Sequence, residues 1–231
     1  MERQYEHRWS PALGREMELL RFGHAGRPVV AFPTSQGRFF QWEDFGLVGM
    51  LASRLAAGEL SLWCVDSVDA ESWYSEERTP AARVERHLEY ERYVLEEVLP
   101  GVPGPPILAG PSFGAFHSVL LCLRHPERFA GWVAMSGVYD NSRWLDGYSS
   151  EETYLTNPLA ILSRLSDERH LAPLRAMAPV VVATGSDDPN VRDSVRLSEE
   201  LLARGVNARL DLWPGWQHDW AYWQRMLDTY F

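Results

Sequence analysis

The chain has 231 residues, 45% of them hydrophobic, which is enough apolar material for one sizeable core in a single domain spanning 1–231. All 22 basic residues are arginine, so no lysine is present to form a Schiff base or complete a phosphate-binding loop; pyridoxal-phosphate enzymes and P-loop nucleotidases are excluded. A net charge of -10 with arginines scattered among acidic residues argues against a nucleic-acid partner, and no stretch reaches the roughly 18 uncharged apolar residues that span a bilayer.

In chain order, the apolar runs 17–22 and 28–32, separated by a glycine-containing turn, predict an antiparallel hairpin that opens a sheet. Before them, residues 1–9 are charged and lack an apolar core, so no targeting segment is read there. Helical spacing at Leu47, Met50, Leu51 and Leu55 is followed by the continuous apolar strand 60–65, a βαβ rhythm. A second helix is predicted to start at Thr79-Pro80, with Thr79 as N-cap and proline in the first position, and to end at 100–106. Strands at 107–109, 131–136, 180–184 and 208–213 follow, separated by helices. The prediction is an α/β fold with a doubly wound, mostly parallel sheet, and the looser stretch 139–179 reads as a small inserted cap. Cys64 and Cys122 fall in apolar segments and read as buried free thiols, and a soluble cytoplasmic protein is expected.

The strand at 107–109 runs into Gly110-Pro111-Ser112-Phe113-Gly114, and 115–124 then carries apolar residues at helical spacing. A serine on such a strand-to-helix turn takes a strained backbone, and residues two before and two after it must lack a Cβ so that strand and helix can approach. Gly110 and Gly114 meet that need, which marks Ser112 as a candidate nucleophile. A serine hydroxyl needs a base, and the base needs a group to hold one tautomer. Of seven histidines, His7 and His24 lie in the opening segment, His87 on a charged helix, His117 and His125 in the helix behind the elbow, and His170 in the expected cap. His218 follows the last predicted strand and is taken as the base. The acid belongs on the turn Gly185-Ser186-Asp187-Asp188-Pro189, and Asp188 is preferred over Asp187 because the residue before proline is held extended. The chain order serine, acid, histidine is the one expected on an α/β-hydrolase sheet.

Acyl transfer needs two backbone donors for the developing oxyanion. Phe113 supplies one; the other is expected from the loop Pro33-Thr34-Ser35-Gln36-Gly37, from Ser35 or Gln36, with Ser35 preferred. Trp42, Trp73, Trp144 and Trp216 fall in predicted loops and are read as walls of a substrate pocket.

These segments resemble the α/β-hydrolases of the esterase D-like esterase family. The resemblance rests on Ser112 to Ala115 at the elbow, on Thr184 to Asp188 as a Thr-Gly-x-x-Asp turn, and on the His-Asp-Trp of His218 to Trp220, and it covers nearly the whole chain. Where many hydrolases of this fold carry His-Gly before the oxyanion residue, this chain has Pro33-Thr34. The resemblance implies a serine hydrolase acting on a small-molecule ester without metal or organic cofactor, with homo-oligomers common among its relatives. Two other readings fit the same residues: an acyltransferase using the same acyl-enzyme, and a binding protein that retains the fold without turnover.

Overall fold

A computed structural model describes residues 1–231. The antiparallel pair β1 (Arg3–Ser10) and β2 (Arg15–Phe22) leads the sheet, followed by β3 (Arg27–Ala31), β4 (Leu60–Val65), β5 (Ile107–Pro111), β6 (Gly131–Met135), β7 (Val180–Gly185) and β8 (Arg209–Trp213). The spatial order is β1-β2-β4-β3-β5-β6-β7-β8, with β2 antiparallel to both neighbours and every later pairing parallel. Ten helices fill the connections: α1 (Gln41–Asp44), α2 (Leu47–Met50), α3 (Ala52–Ala57), α4 (Pro80–Tyr93), α5 (Phe113–Arg124), α6 (Glu151–Leu155), α7 (Pro158–Arg164), α8 (Glu168–Ala176), α9 (Val191–Ala203) and α10 (Trp220–Tyr230). None is long and apolar enough to cross a membrane.

The opening differs from the sequence expectation. The run 17–22 does form a hairpin, but with β1; it then pairs with β4, while the run starting at Pro28 lies two places away between β4 and β5. β1 was illegible because all but its last residue are exposed or half-buried, so it is held by ladder hydrogen bonds and carries no apolar alternation.

Strands buried on both faces read as apolar runs, and their alternate residues feed two cores. Val30, Trp63, Leu108, Trp132 and Val182 enter one cluster of 35 buried residues, covered by α4, α5, α7, α8 and α9. Val29, Leu62, Ala109, Val133 and Val181 enter a second of 21, covered by the α1 to α3 segment and α10. The stretch 139–179 holds a short 3₁₀ turn and α6 to α8. Leu159, Leu162, Leu171 and Leu174 of α7 and α8 join the larger core, so these helices make the crossover a parallel β6–β7 pair requires.

The chain steps from β3 outward to β4 and then returns across β3 to β5. The carboxyl ends of β3 and β5 therefore flank a switch point, where open α/β sheets bind ligands.

Candidate active site

Ser112 sits between β5 and α5 with φ 56° and ψ -118°, a conformation rare outside glycine. Its N–H donates to Met135 O at 2.8 Å, tying the turn to β6. The flanking glycines are required by contact: a Cβ on Gly110 would lie 2.4 Å from Gly114 C, and one on Gly114 would lie 2.6 Å from Phe32 O.

The histidine arrives from the other end of the chain. His218 Nε2 lies 3.0 Å from Ser112 Oγ, and its Nδ1 lies 2.9 Å from Asp188 Oδ2. A carboxylate can only accept, so the ring proton sits on Nδ1 and leaves Nε2 free to accept from the serine hydroxyl. The His218 ring meets Trp223 edge to face at 4.8 Å, which fixes its plane. The acid turn and the histidine loop are stitched by backbone: Ser186 N–H donates to Trp213 O, Asp187 N–H to Trp216 O, and Gly215 N–H to Ser186 Oγ. A Cβ on Gly185 would fall 1.9 Å from Trp216 O, so only glycine lets the two segments touch.

Asp188 has a fully buried side chain and His218 one that is 27% exposed. Burial opposes ionisation of the Asp188 carboxyl, but hydrogen bonds from His218, from the Asn190 N–H at 2.8 Å and from the Ser136 hydroxyl outweigh it and hold the group below its ordinary value. Asp187, the alternative acid, is exposed and its carboxylate accepts from Ser186 Oγ at 3.0 Å.

Phe113 opens α5, where the first amides have no partner within the helix. In the facing loop, Thr34 N–H donates to Gln41 Oε1 at 2.8 Å and Gln36 N–H to Asp69 Oδ2 at 3.3 Å, whereas the Ser35 N–H makes no hydrogen bond within the chain. Of the two amides considered for the second donor, Ser35 is the free one. The arrangement sets a hydroxyl hydrogen-bonded to an imidazole beside uncommitted backbone donors, the groups that acyl transfer requires. No three or more His, Cys, Asp or Glu side chains are grouped to hold a metal ion.

The profile of the prolyl oligopeptidase family matches residues 107–229, more than half of the chain, from the strand before Ser112 to the helix after His218. The chain belongs to that family. Among solved structures it superposes on a ferulic acid esterase with a TM-score of 0.77 at 16% identity, covering 99% of this chain and 95% of that one. An S-formylglutathione hydrolase from Agrobacterium tumefaciens gives 0.76 at 14% identity, covering 98% and 92%, and one from Staphylococcus aureus gives 0.72 at 14%, covering 99% and 96%. These likenesses establish the α/β-hydrolase fold expected from the sequence. No curated protein matches the chain.

The four tryptophans separate into two groups, which corrects the expectation that all of them line a pocket. Trp42 is 1% exposed and donates from Nε1 to Phe32 O at 2.9 Å, so it is a plug in the smaller sheet-face core at the end of β3. Trp73, also 1% exposed, packs among Phe113, Phe116 and His87. A loop position does not make a side chain accessible when the loop folds back on the core. Trp144 and Trp216 are half-buried; Trp144 lies edge-on to Phe113 and Tyr74, and Trp216 stacks on Tyr222 with Trp213 tilted against it. Tyr74 went unread in the sequence, yet its hydroxyl is 2.7 Å from Ser35 Oγ. Its place shortly after β4, at the ligand-binding end of the sheet, was the signal available.

Proposed function

We propose that this protein is a serine esterase that cleaves small carboxylic esters through an acyl-enzyme on Ser112. The observation that carries the reading is the continuous hydrogen-bonded line from Asp188 through His218 to the Ser112 hydroxyl. As Ser112 Oγ attacks the ester carbonyl, its proton passes to His218 Nε2, and Asp188 stabilises the resulting imidazolium without taking the proton. The carbonyl oxygen becomes an oxyanion between the Phe113 and Ser35 amides, where each donor is worth about 10²- to 10³-fold in rate. Collapse returns the proton from His218 to the departing alkoxide. Water then repeats the sequence on the acyl-enzyme and releases the acid.

Trp144, Tyr74 and Trp216 form the aromatic walls in this reading, and the buried Trp42 and Trp73 have no contact with substrate. The Arg143 guanidinium lies over the Trp144 ring at 4.2 Å and covers its outer face. The family's description raises a second reading, cleavage of a peptide bond; the ester reading is favoured because the structures matched over nearly their whole length include a ferulic acid esterase and S-formylglutathione hydrolases. Purified protein should hydrolyse p-nitrophenyl esters and react with a fluorophosphonate, and Ser112→Ala should lose both while keeping its circular dichroism spectrum. Unchanged hydrolysis by that variant would remove the assignment, and turnover of proline-containing peptide anilides in preference to esters would install the peptidase reading instead.

A further inference from the structure

Gln36 is an exposed residue that is not glycine yet holds φ 55° in the middle of the oxyanion loop. Its N–H turns inward and donates to Oδ2 of Asp69, while the other carboxylate oxygen, Oδ1, accepts from His117 Nε2 at 3.0 Å. The Asp69 and His117 side chains are each 1% exposed. His117 belongs to α5, little more than a turn beyond Ser112. One buried carboxylate therefore joins the helix that presents the nucleophile to the loop that faces it.

Peptide planarity gives this joint a consequence for the neighbouring residue. The plane after Ser35 contains the Gln36 N–H held by Asp69, and the plane before it contains Thr34 O, which accepts from Gly37 N–H at 2.9 Å. With both planes tied, the Ser35 N–H has one orientation. It is also the amide left unspent in the loop 33–37, because Pro33 has none, Thr34 N–H is taken by Gln41, Gln36 N–H by Asp69 and Gly37 N–H by Thr34 O. We infer that Asp69 is a positioning residue for the oxyanion site, fixing the Ser35 amide by locking Gln36 in its left-handed turn and referencing the loop to the nucleophile helix. The inference rests on the esterase reading of Ser112.

Asp69→Ala tests it, because it removes both carboxylate oxygens and leaves His117 Nε2 and the Gln36 N–H without their shared partner. A misplaced oxyanion donor weakens transition-state binding more than substrate binding. The variant should therefore lose about tenfold or more in kcat on p-nitrophenyl acetate, up to the ~10²- to 10³-fold of a donor lost outright, with KM within about twofold. Affinity for a trifluoromethyl ketone, whose carbonyl oxygen becomes the hemiketal oxyanion in the same place when Ser112 Oγ adds to the carbon and its proton passes to His218, should fall by the same factor as kcat/KM. Ser112-dependent hydrolysis by the parent protein is established first; its absence removes the esterase reading itself. If the parent is active, an Asp69→Ala variant with unchanged kcat and ketone affinity, or one changed only in KM, overturns the positioning role alone. Should that variant fail to fold, amide exchange on the parent decides: the Gln36 N–H is expected to be protected and the Ser35 N–H to exchange freely, and rapid exchange at Gln36 overturns the proposal.

Discussion

Ser112 at φ 56° is a residue held where its side chain is disfavoured, and such positions cost about 1–3 kcal/mol unless occupied by glycine. Ser112→Gly should therefore raise the urea midpoint relative to Ser112→Ala by an amount worth about 1 kcal/mol, with no esterase activity expected from either. Equal stabilities would mean that the elbow stores no strain. At Asp188 the expected loss is catalytic: Asp188→Asn keeps the shape but favours the wrong His218 tautomer, and kcat should drop by about 10⁴-fold. The same carboxyl has a pH consequence. Its folded value lies below its ordinary one, so its contribution to stability is present above the unfolded value and is lost as the pH falls below about 3.9. Urea unfolding measured from pH 6 to pH 3 should show a shallower acid decline in Asp188→Asn than in the parent protein.

At the scale of elements, the helix after the elbow is seated by an absent side chain. A methyl on Gly114 would meet Phe32 O at 2.6 Å and Pro33 O at 2.7 Å, so α5 can close on the end of β3 only with glycine there. Gly114→Ala should push the helix from the oxyanion loop, costing about 1–3 kcal/mol in the manner of overpacking and lowering kcat with it; retention of both in denaturation and kinetic assays would show that the contact gives way. The start of α4 is simpler. Thr79 accepts from Ala82 N–H at 3.3 Å with proline in the first turn, and this cap was legible because its cause is local. The hairpin was not, because whether the run starting at Arg15 pairs with β1 or with β3 depends on where β4 lies, and nothing within that run carries this information. Asp69 and Gln36 were equally silent, being 33 positions apart with their relation made by the approach of two loops.

For the molecule as a whole, the two apolar clusters lie on opposite faces of one sheet, and α7 and α8 from the stretch 139–179 are built into the larger of them. We therefore expect the chain to unfold as one unit. Tryptophan fluorescence and far-ultraviolet circular dichroism should give coincident denaturation curves, and an early loss of helical ellipticity ahead of the main tryptophan change would identify 139–179, which holds three helices and one tryptophan, as a separately folding piece.

By itself the sequence determined the period and length of the buried strands, the glycines that an elbow demands, the helix cap at Thr79 and the order of serine, acid and histidine. Each follows from backbone sterics or from side-chain spacing within a few residues. The tertiary structure alone decided which tryptophans are accessible, which strand β2 pairs with, and which loop amide is left free, because burial and hydrogen-bond satisfaction are properties of surfaces brought together from distant parts of the chain.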